Sequence, residues 1–131
     1  MQNFPLPAGC RMIITAEMDK TSHIRHRWSV QLFAVGDQES TRAHYGARIG
    51  SGQTQRILAA AVDADCVCRV TSAHEVGPTW ESDFEEVVVN RPRDLAIRFH
   101  TADINKAADD FEGCVLSFEF SQDRSDAETR K

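Results

Sequence analysis

The stretch CRMIITAEM, residues 10–18, decides the fold class. Cys10, Met12, Ile14, Ala16 and Met18 take every second position, with Arg11, Thr15 and Glu17 among the residues between. Successive side chains of a strand point to opposite faces, so this run has one apolar face and one largely polar face. On a helix the same residues would be spread around the axis.

The pattern recurs along the chain. In 28–35, Trp28, Val30, Leu32 and Ala34 alternate with Ser29 and Gln31. In 66–72, Cys66, Cys68 and Val70 oppose Arg69 and Thr71; in 84–89, Val87 and Val89 oppose Glu86. Leu95, Ile97 and Phe99 oppose Arg98 and His100, and Cys114, Leu116, Phe118 and Phe120 oppose Ser117 and Glu119. The run RILAAAV, residues 56–62, fits strand or helix. Turn residues separate the runs at 35–40, 50–53, 63–65, 76–79 and 90–94. The expected fold is all-β: an antiparallel β-sandwich of about eight strands, C2-like or jelly-roll-like. It is expected to span residues 1–120 as one domain, followed by a mobile polar tail at 121–131, within a 131-residue chain.

Composition narrows the function. A net charge of −5 argues against nucleic-acid binding. No apolar run approaches 18 residues, which excludes a transmembrane helix. The first ten residues show no basic and apolar leader pattern, so the expected location is cytoplasmic. Charge is uneven. Residues 1–60 hold seven Lys/Arg against four Asp/Glu, a net of +3, and the remainder holds eight against sixteen, a net of −8. This permits a cation site or association of copies. Cys10, Cys66, Cys68 and Cys114 all fall on apolar faces and read as small core residues rather than metal ligands.

Enzymatic patterns are thin, and no catalysis is expected. In SAHE, residues 72–75, Ser, His and Glu are adjacent on one strand and do not form a nucleophile–base–orienter line. The string HIRHR, residues 23–27, either holds an anionic group or is a solvated loop. His23 and His26 as metal ligands would need a third, such as His44 or His74.

The strongest site candidate is TADINKAADDFEGC, residues 101–114. Calcium takes six to eight oxygens from a flexible loop. Asp103, Asn105, Asp109, Asp110 and Glu112 offer several. The alternative is a solvated turn in which Asp side chains cap local amides and Phe111 anchors the loop.

The segment from Gly77 to Phe118 resembles the second half of a C2 domain. Matching pieces are Pro78-Thr79-Trp80-Glu81, Phe84, Leu95-Ala96-Ile97-Arg98-Phe99 and Asp109-Asp110-Phe111-Glu112-Gly113. The resemblance implies an eight-stranded sandwich that binds calcium and then phospholipid through loops at one end. Thr101-Ala102-Asp103 stands where that family carries Asp-x-Asp, so one carboxylate is missing. Asp19, or Asp63 and Asp65, are the candidates to replace the family's other calcium loop. The loop is also similar to an Asp-(Phe/Tyr)-Asn-Asp-x-Val turn of bacterial surface β-sandwiches, some of them lectin-like.

Three readings follow. The first is a non-catalytic C2-like module, weakly calcium-binding at residues 101–113, that meets a protein partner or, with calcium, anionic lipid. The second is a structural subunit that assembles with itself or another protein. The third is carbohydrate binding through Trp28, Tyr45 or Trp80.

Overall fold

The computed structural model describes residues 2–18, 24–59, 61–101 and 113–122, excepting the side chains of Gln38 and Glu39. In chain order the strands are β1 (Gln2–Leu6), β2 (Cys10–Met18), β3 (His26–Ala34), β4 (Asp37–Ile49) and β5 (Thr54–Ala59), then β6 (Cys66–Val76), β7 (Thr79–Ser82), β8 (Phe84–Arg91), β9 (Asp94–His100) and β10 (Gly113–Gln122). They form two antiparallel five-stranded sheets. Sheet I has the order β1-β6-β3-β4 with β7 also on β6, and sheet II has the order β5-β2-β10-β9-β8. The β-sandwich expected from the alternation is therefore present, with ten strands rather than about eight.

The extra strands are β1, β4 and β7. β4 begins at Asp37, so the turn expected over 35–40 is confined to Val35 and Gly36, where Gly36 adopts φ 86°. The 56–62 run is a strand that ends at Ala59, and β10 continues to Gln122, two residues past the expected end of the sandwich. In β8 a bulge at Val88 puts Val87 opposite Ile97 and Val89 opposite Ala96. Val87 and Val89 therefore lie on different faces, not on one as the alternation suggested.

The inner faces supply the core. Met12, Ile14, Val30, Leu32, Ile97, Phe99, Leu116 and Phe118 are all buried. Each such side chain contributes roughly 1.5–3 kcal/mol relative to exposure. Phe4 closes the β1 side, its ring edge-on to Phe118 at 5.2 Å and to Phe120 at 5.5 Å. All four cysteines are buried and unbridged, as expected of core residues. Burial pushes the Cys68 and Cys114 thiols up to about 12.

One edge of β6 is shared. β1 pairs with Cys66–Val70, and β7 pairs with Ala73–Val76 through only four residues. So short a strand needs further anchoring to hold its position.

Candidate functional site

The anchoring of β7 comes from Asp83, immediately after it. The Asp83 side chain is fully buried. Its Oδ2 accepts from His26 Nδ1 at 2.8 Å and from Ser72 Oγ at 2.6 Å. Its Oδ1 accepts from His74 Nδ1 at 2.7 Å, and its backbone N–H donates to the Ser72 carbonyl at 2.9 Å. A carboxylate is an acceptor only, so both imidazoles carry their proton on Nδ1 here. His74 Nε2 lies 3.7 Å from Glu81 Oε2, whereas His26 Nε2 is buried with no hydrogen-bond partner. The cluster ties β3, β6 and the end of β7 together and reaches sheet II where Ser72 Oγ meets Cys114 Sγ at 3.7 Å.

This arrangement separates the sequence candidates. His26 points into the interior, so HIRHR is not one basic cluster: Arg25 pairs with Glu75 at 3.7 Å, and Arg27 goes to the outer face of sheet I. His23 lies outside the described residues. His26 and His74 do come together, with ring centroids 6.1 Å apart, but over a carboxylate. Among the described residues no group of three His, Cys, Asp or Glu side chains is arranged to hold a metal. His44 is on the outer face, bonded through Nε2 to Ser29 Oγ at 2.7 Å. Ser72 and His74 share a face, yet each is bonded to Asp83 rather than to the other, and Glu75 points outward. No nucleophile–base line results.

Asp19, Asp103, Asn105, Asp109, Asp110 and Glu112 lie outside the described residues. Their anchors are described. Met18 pairs with Cys114, and His100 with Gly113, so the chain leaves and re-enters sheet II at neighbouring positions. Gly113 is required for packing: a Cβ there would collide with the Phe99 carbonyl.

A second feature, which the sequence reading did not assemble, is a groove on the outer face of sheet I. Strand register arranges that face in rows. The first row runs Arg48, Arg27, Ala73, Ser82 across β4, β3, β6 and β7. The second runs Gly46, Ser29, Thr71, and the third His44, Gln31, Arg69. Rows two residues apart are separated by roughly 6.6 Å. Small side chains in the second row leave an open depression of about 700 Å³. Gly46 is part of its floor, and only glycine fits there, because a Cβ would sit 2.6 Å from the Trp28 carbonyl oxygen.

Trp80 leans from β7 onto the first row. The Arg27 guanidinium lies 4.8 Å from its ring centroid and that of Arg48 5.5 Å. Of the three aromatics considered for sugar contact, Trp80 alone belongs to this face. Trp28 is buried and donates its indole N–H to Gln55 Oε1 at 2.8 Å. Tyr45 packs against the core. Gln55 Nε2 donates in turn to the Arg48 carbonyl at 2.7 Å, which fixes the β4 backbone under the groove.

No family model matches the chain, and no curated protein matches it. The solved structures that the chain is similar to include three bacterial lectins. One is a Chromobacterium violaceum lectin in complex with alpha-methyl-fucoside, with 17% identity, 88% of this chain and 92% of that one covered, and a TM-score of 0.44. Another is the C-terminal domain of a Burkholderia cenocepacia lectin, with 15% identity, 88% and 91% covered, and a TM-score of 0.44. The third is a high-affinity mannose-binding lectin of Ralstonia solanacearum, with 12% identity, 88% and 92% covered, and a TM-score of 0.41.

Proposed function

We propose that the chain is a non-catalytic carbohydrate-binding module whose ligand lies in the groove of sheet I. The observation that carries this reading is the groove's construction. An open depression of about 700 Å³ is floored by Ser29, Gly46 and Thr71 and bordered by His44, Ser82 and Arg27, with Trp80 against Arg27. Hydroxyls and an imidazole both donate and accept, as sugar hydroxyls require, and a floor of small residues lets a ring approach the backbone. The buried polar cluster supports a non-catalytic role. Its hydroxyl is committed to Asp83, and its thiol, raised to about 12, is not a nucleophile at neutral pH. A glycan array run with the full chain tests the reading. Retention of a subset of glycans is expected, with loss on Thr71→Phe, which fills the floor. Silence across the array removes it.

Assembly with copies of itself is a second reading, favoured by the free edge of β8. Phe84, Val87 and Val88 are 48%, 41% and 41% exposed there. An antiparallel pairing of two β8 strands centred on Val88 would set Glu85 of one copy opposite Arg91 of the other. Sedimentation should then show a dimer that Val88→Lys dissolves; a monomer at every concentration rules it out.

A further inference from the structure

We propose that the saccharide taken by this groove is acidic, carrying a carboxylate or sulfate that the Arg27–Arg48 pair receives. The inference rests on the carbohydrate reading and deepens it. Arg27 and Arg48 are direct cross-strand partners on β3 and β4. Like charges placed opposite one another destabilise a sheet, so the pair has a cost that folding alone does not explain. Among the described residues neither guanidinium is paired with a carboxylate. The acids nearest in sequence to Trp80 and on the facing strand are engaged elsewhere: Glu75 with Arg25 at 3.7 Å, and Glu81 towards His74 at 3.7 Å.

Their shared contact is the Trp80 ring, at 4.8 Å and 5.5 Å. An aromatic face holds guanidinium groups without neutralising them, leaving N–H groups available. Planar guanidinium forks bind carboxylate and sulfate oxygens in pairs, which an ammonium does not reproduce. The rest of the groove distinguishes a saccharide from a bare anion. An oxyanion would occupy only the first row, whereas the depression continues over Gly46, Ser29 and Thr71 to His44. The acidic group therefore sits on the arginine pair and the hydroxylated body lies along the second row. The protein as a whole carries −5, so the site is a local exception to a field that repels anions.

The test is calorimetric titration of the full chain with matched pairs: oligogalacturonate against its carboxyl-reduced form, and chondroitin sulfate fragments against their desulfated form. Inorganic sulfate is titrated separately. The acidic form of at least one pair should bind tenfold or more tightly than its neutral counterpart. That advantage should shrink as salt rises from 50 to 500 mM, and it should vanish in Arg48→Ala, an exposed position whose melting temperature is checked alongside. Arg27→Lys, which keeps charge and loses the fork, should lower it severalfold. Equal affinity for acidic and neutral forms overturns the inference and leaves the carbohydrate reading standing. Binding of sulfate without any saccharide, or of none of these ligands, also overturns the inference, while the carbohydrate reading stands or falls on the glycan array.

Discussion

Asp83→Ala removes the acceptor for three buried donors: His26 Nδ1, His74 Nδ1 and Ser72 Oγ. Each unsatisfied buried donor costs about 1–3 kcal/mol. Because imidazoles and hydroxyl can partly reorient, the expected loss is about 4 kcal/mol. With an unfolding entropy of about 2.1 cal/mol/K per residue over 131 residues, that lowers the melting temperature by about 15 °C. Asp83→Asn is a sharper probe. Two donors converge on Oδ2 and one on Oδ1, so the introduced amide keeps its oxygen towards His26 and Ser72 and turns its NH2 towards His74. His74 can then move its proton to Nε2, 3.7 Å from the Glu81 carboxylate. His26 has no such outlet, since its Nε2 is buried without a partner. The isosteric change therefore costs about 1–2 kcal/mol. Urea denaturation with unchanged m-values measures both. Hydrogen exchange in the alanine variant should accelerate first at β7, whose ladder with β6 is four residue pairs long. A loss below 2 kcal/mol for Asp83→Ala, or equal losses for the two variants, would refute the anchoring role of the Asp83 cluster.

Burial raises the Cys68 and Cys114 thiols from the ordinary 9.0 to about 12, so the folded state keeps protons that the unfolded state releases. Stability from this source is complete below pH 9 and is lost as pH rises towards 12. The limiting slope is about 1.4 kcal/mol per pH unit for each thiol; urea melts at successive pH values should show it, and Cys68→Ala should reduce it. Gly113→Ala should cost about 3 kcal/mol, because the new Cβ meets the rigid Phe99 carbonyl rather than a movable side chain; an unchanged denaturation midpoint would contradict the packing. Gln55→Ala strands the buried Trp28 indole N–H and should cost about 2 kcal/mol, with a large shift of that proton's NMR resonance.

Why some of this was legible and some was not follows from what each element buries. β2, β9 and β10 bury most of one face against the other sheet, so selection of apolar residues at alternate positions writes them plainly into the sequence. β4 is an edge strand whose inner face holds Ala43, Tyr45 and Ala47, only partly buried, and its alternation fades accordingly. β1 contains Pro5, which an edge tolerates and which masks a strand. The Asp83 cluster left a signal that can be named afterwards. Continuing the inner phase of β3 back from Trp28 reaches His26, and continuing that of β6 forward from Val70 reaches Ser72 and His74. Polar residues in an apolar phase call for a buried partner, but nothing local identifies that partner as Asp83, which stands between β7 and β8.

The arginine pair depends on longer-range geometry still. Beside the tight turn at Val35 and Gly36, Ala34 pairs with Asp37. Carried along the hairpin without interruption, that register would set Arg27 opposite His44. Irregularities between Leu32 and Ala34 advance β4 instead, so that Leu32 meets Ala43 and Arg27 meets Arg48. A bulge therefore creates the like-charge pair, brings Gly46 opposite Ser29, and so forms both the cationic end and the floor of the groove. Regular pairing would have placed a histidine where the second guanidinium now stands. Bulges commonly re-aim side chains near binding sites, and here a local irregularity in one hairpin sets the chemistry of the whole outer face.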